Sequence, residues 1–402
     1  MSTEPVEPTP ESVEPVEPVE TTQPDAAESV ELVETTQPDA SPFSTRPGAV
    51  SSPPEHYGNP IAEQRALARG EAIVDLSDRD VLSITGDDRL SWLDSLTSQA
   101  LTRLAPGGSS ETLLLDPSGR IEFAARVFDD GETTWLLLDA GLGEGFRAFL
   151  DRMRFMLRVE VADRTAEFAT VGALGEIPAA LEAFVAAPAG IPLIWRDGWA
   201  EVAAGGHSYA TVAEHPGAEW RALEVLVPRE RLADLAESDV PAAGTLALEA
   251  LRVAAWRPRA STELDSTTLP HELDWLRSAV HLAKGCYRGQ ETVAKVHNLG
   301  HPPRRLVFLH LDGSEGVAAA AGDEVHAGEK AVGRVTSVAR HHELGPIALA
   351  VVKRSAPVDT ELTVIAGDGT PLAAAQEIVV PPEAGASANV PRLPRLGAVR
   401  RE

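Results

Sequence analysis

Lys284-Gly-Cys-Tyr-Arg-Gly-Gln-Glu291 is the stretch on which the reading of this chain turns. It holds the only cysteine in 402 residues, Cys286, with Lys284 two positions before it and Arg288 two positions after. Cationic neighbours favour a thiolate. Gly285 and Gly289 allow close backbone approach or unusual dihedral angles. Glu291 can cap a following helix or accept a hydrogen bond. Local chemistry supports two readings: a reactive or ligand-facing thiol, or a glycine-shaped loop in which the cysteine merely packs. No His and Asn stand in clear roles nearby, which argues against a cysteine hydrolase.

Upstream of this stretch, strands and helices alternate with hairpins. Residues 72–78 and 81–86 read as short strands, and Asp87 or Asp88 as the N-cap of a helix carrying Leu90, Trp92, Leu93 and Leu96. Asp116-Pro-Ser-Gly119 has Pro at the second position of a turn and Gly at the fourth, so its flanks form a hairpin. A helix over 144–156 and a strand over 158–163 follow. Residues 166–260 repeat this grammar, ending in a helix over 245–255. Beyond Pro302-Pro303 the pattern changes to short strands with Gly-rich turns, the mark of a small β-barrel or sandwich. The class is therefore α+β, not a doubly wound parallel sheet.

Net charge is −26, with 61 acidic and 35 basic residues, which excludes a general nucleic-acid binder but not a local basic pocket. Eleven acids and one base, Arg46, fall in residues 1–48, where Val19-Glu-Thr-Thr-Gln-Pro-Asp-Ala26 recurs as Val33-Glu-Thr-Thr-Gln-Pro-Asp-Ala40. Such a stretch buries too little apolar surface to offset ordering, so residues 1–55 are expected to form a disordered acidic tail and the fold to begin near Arg65. Residues 381–402, with Pro381, Pro382, Pro391 and Pro394 and with Arg392, Arg395, Arg400 and Arg401, read as a second tail. The expected parts are the tail 1–55, an α+β region of two modules over 65–300, a barrel over 303–380 and the tail 381–402. No apolar run is long enough to span a bilayer and no secretory signal opens the chain, so a cytoplasmic monomer with no membrane partner is expected.

Other candidate motifs fail. Gly141-Leu-Gly-Glu-Gly145 lacks the dinucleotide-binding spacing, and no P-loop or nucleophile elbow occurs. His297 and His301 are four apart, but Gly300, Pro302 and Pro303 argue against a helix that would align them on a metal, and no third ligand is evident. His341-His342 reads as an exposed turn. The seven tryptophans read as core or pocket lining.

The Lys284–Glu291 stretch resembles the K-G-C-Y-x-G-Q-E signature of the YgfZ family, tetrahydrofolate-binding proteins related to the T-protein (aminomethyltransferase) of the glycine cleavage system. Ile84-Thr-Gly-Asp-Asp-Arg-Leu90 with Leu96-Thr-Ser-Gln99, Asp116-Pro-Ser-Gly-Arg120, Leu251-Arg-Val-Ala-Ala-Trp-Arg-Pro258, Leu269-Pro-His-Glu272 and Gly333-Arg-Val-Thr-Ser337 resemble further family segments. The resemblance covers about residues 70–370. It implies a three-module ring-like molecule in which two α+β modules and a C-terminal β-barrel surround a folate pocket. It also implies a role in assembly or repair of iron–sulfur proteins, with Cys286 as the functional thiol. Lys284, Gly285, Tyr287, Gly289, Gln290 and Glu291 match the rest of the signature, and Arg288 occupies its variable position.

The chain departs from the T-protein where transfer chemistry would reside. That enzyme's folate-contacting Glu aligns with Ala254, and Ala100 follows Leu96-Thr-Ser-Gln99 where an Asp serves its chemistry. A tryptophan that lines the pocket in one branch of the family falls near Arg79. Arg79, Arg252 and Arg257 are candidates to bind the folate tail by bidentate pairing; the alternative is ordinary salt bridges. Three functions follow from the resemblance: a folate-binding factor for iron–sulfur clients and assembly proteins, a folate-dependent one-carbon transferase, or a non-catalytic folate-sensing interaction module.

Overall fold

The chain alternates between two sheets before it closes a barrel. A computed structural model describes residues 40–313 and 316–388. The strands run β1 (Ile73–Asp75), β2 (Asp80–Thr85), β3 (Ser109–Leu115), β4 (Ile121–Asp129), β5 (Thr133–Leu138) and β6 (Glu160–Asp163). Next come β7 (Phe168–Leu174), β8 (Ile194–Arg196), β9 (Ala222–Pro228) and β10 (Ala242–Ala243). Last are β11 (Arg304–Leu311), β12 (Glu324–Ala327), β13 (Lys330–His341), β14 (Gly345–Lys353), β15 (Leu362–Ile365) and β16 (Pro371–Ile378). One sheet has the order β3-β4-β5-β2-β6 and the other β10-β1-β7-β9-β8, while β11-β14-β13-β12-β15-β16 form a closed barrel. The class is α+β, as the mixture of hairpins and helices requires. Among the described residues no helix is long and apolar enough to cross a membrane.

Alternation along the barrel strands explains how the modules adhere. On β11, Val307, Leu309 and Leu311 fill the barrel, while Leu306 and Phe308 point out of it. Those outward residues join Val74 of β1, Leu113 and Leu115 of β3, and Trp275 in one shared core. A smaller cluster of Val81, Trp135, Leu137, Trp195 and Leu226 glues the two sheets together. All seven tryptophans are buried.

Several expectations need correction. β1 and β2 are only four residues apart, yet β1 pairs with β10 and β7 in the second sheet while β2 pairs with β5 and β6 in the first. The chain enters the fold well before residue 65. Phe43 is fully buried beside Leu232 and Leu235, a contribution of about 1.5–3 kcal/mol. Arg46 donates to the carbonyls of Leu235, Ala236, Ser238 and Val240, collecting the open end of the Leu232–Glu237 helix. The expected tail over 1–55 is thus part of the fold from residue 41 onward; residues 1–39 lie outside the described residues.

The start of the expected tail over 381–402 also packs. Ala384 is buried, its carbonyl meets His301 Nδ1 at 2.9 Å, and Ser387 and Ala388 N–H groups bond the carbonyls of His297 and Asn298. Residues 389–402 lie outside the described residues. Asp88 occupies the N-cap of the Arg89–Leu96 helix but makes no cap bond; its carboxylate accepts from Arg158 instead. A helix does form at His297, over Gln290–Leu299, and it ends before His301. His341 is buried, its Nδ1 accepting from the N–H groups of Glu343 and Leu344.

Candidate functional site

The cysteine loop is assembled from segments far apart in sequence. Residues 278–289 lie between two turns of 3-10 helix and the Gln290–Leu299 helix and have no ladder of their own, so their backbone groups need other partners. The Ser98 hydroxyl donates to the Ala279 carbonyl at 2.6 Å, the His281 N–H to the Ser98 carbonyl at 3.0 Å, and the Gln99 amide to the Ser278 carbonyl at 2.8 Å. Lys284 Nζ donates to the carbonyls of Asp94, Thr97 and Gln99 and pairs with the Asp94 carboxylate at 3.3 Å. Its side chain is only 3% exposed. Burial lowers its pKa, against the pull of Asp94.

The rest of the motif seals the same joint. Gly289 adopts φ +82°, and a Cβ there would lie 2.6 Å from the Asp116 carbonyl oxygen of the β3–β4 hairpin, so only glycine fits. Gly285 has open space around it and no left-handed backbone; the close approach expected there does not occur. Tyr287 is buried beneath Lys284 Nζ, 5.3 Å from the ring centre. Arg288 pairs with Glu122 at 2.6 Å and lies over the Phe149 ring. Gln290 donates back to the Lys284 carbonyl at 3.2 Å. Glu291 is exposed in the first turn of the helix, where the helix dipole favours a negative charge.

Cys286 itself is exposed. Both flanking cations are committed elsewhere, Lys284 to carbonyls and Arg288 to Glu122. The motif is therefore an anchored mount for an exposed thiol, with Lys284 and Gln290 bonding backbone carbonyls, Tyr287 buried and Arg288 paired with Glu122 of β4. That separates the two sequence readings: the loop is glycine-shaped and well packed, while the cysteine is not one of the packed residues.

The second candidate region lies between the two sheets. Arg79, Arg252 and Arg257 all line one cavity there. Each already has acidic partners. Arg79 pairs with Glu224. Arg257 pairs with Glu111 at 2.6 Å and Asp197 at 2.9 Å. Arg252 pairs with Glu249 at 2.6 Å and Glu263 at 3.0 Å, and donates to Ser337 of the barrel. Arg126 bridges Glu224 and Asp139, each at 3.1 Å.

Burial works against charge on Asp139, but Arg126, Arg79 and Arg259 outweigh it and hold the carboxyl well below the usual range. The Trp275 and Trp220 indoles donate to Glu111 and Asp197. Glu111 and Glu224 went unnoticed in the sequence, although a lone acid inside an apolar strand such as Ala222-Leu-Glu-Val-Leu-Val227 was a readable signal.

These donors have the chemistry that a folate requires, carboxylates for a pterin edge and guanidiniums for a glutamate tail. Glu224 Oε2 and Arg259 Nε are buried without a hydrogen-bond partner, and both residues line the cavity. The cavity volume is about 50 Å³, against roughly 300–1,000 Å³ in a typical ligand site. The donor types match a folate's chemistry, but a volume of that size is too small to hold one with the ion pairs in place. Among the described residues no group of three or more His, Cys, Asp or Glu is arranged to hold a metal ion.

Comparison with known proteins adds the following. Residues 304–382 match the family described as glycine cleavage T-protein C-terminal barrel domain. The chain is 30% identical over 315 residues to an aminomethyltransferase of Rippkaea orientalis, covering 73% of this chain and 81% of that protein. It is 27% identical over 338 residues to an aminomethyltransferase of a Nostoc species, covering 77% and 85%. It is 26% identical over 298 residues to a putative chloroplastic transferase of Arabidopsis thaliana, covering 70% and 65%. In structure it resembles the glycine cleavage system aminomethyltransferase T of Bartonella henselae, with TM-score 0.64, 19% identity, and 85% and 97% of the two chains covered.

Proposed function

We propose, from the premise that this chain belongs to the aminomethyltransferase (glycine cleavage T-protein) family, that it works in the manner of that family's YgfZ relatives. It is an accessory factor in assembly or repair of iron–sulfur proteins, acting through the Cys286 thiol. The observation that carries this reading is an exposed thiol on a loop whose flanking cations are both committed to other partners, Lys284 to three carbonyls and Arg288 to Glu122. A thiolate is a natural ligand for cluster iron, but one cysteine cannot hold a cluster alone. The remaining ligands come from the client, so Cys286 acts as one transient ligand, not as the seat of a resident cluster.

Tetrahydrofolate is the ligand we assign to the cavity between the sheets. Glu224 and Arg259 have spare hydrogen-bonding capacity there. Arg79, Arg252 and Arg257 would hold an anionic tail only by giving up carboxylates they already bind. The folate would bring a one-carbon carrier; the chain's own part is to bind it and to pay for the exchanged ion pairs. Weak binding follows, and a calorimetric titration checks it; no heat even at millimolar ligand removes folate from the account.

The transferase reading draws support from the names of the relatives. Ala100 and Ala254 stand against it, as neither side chain can serve as an acid, a base or a ligand. Deletion of the chain from its host tests the main proposal. Activities of cluster-dependent enzymes fall and are restored by the wild-type chain; unchanged activities on deletion refute it.

A further inference from the structure

The turn after the Gly143–Met153 helix breaks the rule that large apolar side chains are covered. Met153, Phe155, Met156 and Leu157 are 45%, 83%, 89% and 41% exposed. Four of the eleven large exposed apolar residues among those described thus fall within five consecutive positions. Isolated exposed apolar residues are ordinary; a contiguous group marks an interaction site.

The turn is also anchored at both flanks. The Trp92 indole donates to the Met153 carbonyl at 3.2 Å, the Leu157 N–H to the Arg154 carbonyl at 3.0 Å, and the Arg158 N–H to Asp88 at 3.0 Å. Arg158 further pairs with Asp87 and Asp88. Between these anchors Met156 adopts φ +55°, a left-handed conformation that an unbranched side chain tolerates only at a cost. Phe155 and Met156 are therefore presented on a turn anchored at both flanks, so part of the ordering entropy of binding is already lost.

Charge indicates what the tip meets. Arg152 and Arg154 have no carboxylate partner among the described residues, on a chain whose net charge is −26. Met, Phe and Arg are the residue types enriched at protein interfaces, and the tip has no lysine. An anionic bilayer would attract the arginines but repel the rest of so acidic a protein. Four such side chains cover on the order of 500 Å² at most, below the ~800 Å² per partner of a standard stable interface, so the contact is transient and not a permanent dimer.

We propose that the 153–157 tip docks a protein partner presenting an apolar cleft rimmed by Asp and Glu, and that it does so beside Cys286. The link to the thiol is the Phe149 ring, which carries Arg152 at 6.0 Å on the tip side and Arg288, two residues from Cys286, at 5.4 Å. The inference rests on the Cys286 reading for the partner's role as an iron–sulfur client, but its docking claim can fail separately.

The test uses the full chain in its host with the photocrosslinker p-benzoylphenylalanine replacing Phe155, and as control replacing Val358, an exposed barrel residue. The expected result is a crosslink from position 155 to a second protein, mapped to a carboxylate-rich segment. That crosslink falls roughly tenfold or more with R152E/R154E, because rim charges govern encounter. Crosslinking no stronger than at position 358, a product with the mass of two copies of this chain, or co-flotation of the chain with phosphatidylserine vesicles that R152E/R154E abolishes would each overturn the proposal. A persistent crosslink in cells where Cys286→Ala leaves cluster-dependent enzymes unaffected keeps the docking claim and sinks the thiol reading. Loss of those activities with Cys286→Ala but not with F155S/M156S keeps the thiol and sinks the docking claim.

Discussion

The cysteine loop and the cavity between the sheets both gather cations, and they use them in opposite ways. In the cavity, guanidiniums are buried against carboxylates, so charge is neutralised where water is scarce. In the loop, Lys284 is buried against three carbonyls and serves to fix a backbone that has no ladder. The lesson is that cations flanking a cysteine in sequence need not touch it. Here they hold the frame, and the thiol is the member left facing solvent. Arginines grouped in sequence likewise need not form an anion pocket, since each can arrive already paired.

The largest effect should come from breaking the cavity's charge balance. Arg257→Met leaves Glu111 and Asp197 buried without their guanidinium, and should cost about 3–5 kcal/mol in urea unfolding. A loss near zero would mean that the cavity is hydrated and open, and would erase the contrast between the regions.

Lys284→Met should cost about 1–3 kcal/mol, since buried carbonyls lose their donor. Amide exchange in residues 278–289 should accelerate more than in the barrel. Exchange unchanged in that loop would show that Lys284 is not its fastener.

A pH series sharpens the picture at a buried turn upstream of the loop. Burial pushes the Asp274 carboxyl up to about 7, even though its carboxylate accepts from the Tyr209 N–H and the Ser208 hydroxyl. The folded chain then holds that proton more tightly than the unfolded one, so this group's contribution to stability falls as pH rises from 3.8 to about 7. Burial pushes His271 down to about 4, so its contribution falls as pH drops from 6.5 to about 4. Asp274→Asn, tolerated at φ +54°, removes the first slope and leaves the second. Melting temperature should then rise more steeply between pH 5 and pH 7 than in the wild type, and an unaltered slope would mean that Asp274 is ionised throughout. The smallest effect should be that of Cys286→Ala on stability, within about 0.5 kcal/mol, as expected for an exposed side chain.

Much of the barrel was legible because period-two alternation and Gly-rich turns are local signals, and strands β11 to β15 lie where that alternation runs. The segments that build the cysteine loop were legible as motifs, and the structure brings Leu96-Thr-Ser-Gln99, Asp116-Pro-Ser-Gly119 and the Cys286 stretch to one joint. Their division of labour was not legible, because the direction of Lys284 is set by carbonyls almost two hundred positions away in sequence. The membership of β1 in the second sheet was hidden for a similar reason: three residues carry no information about which distant strand they pair with. Residues 41–64 were misread from composition, since one aromatic and one arginine, Phe43 and Arg46, are enough to pin a segment rich in Pro and Ser.

The central claim, that function resides at the thiol while the paired charges hold the frame, is tested most directly in cells whose only copy of this chain carries Cys286→Ala. With the variant present at wild-type abundance, the activity of cluster-dependent enzymes should fall to the level of the deletion. Activity equal to wild type would contradict the claim.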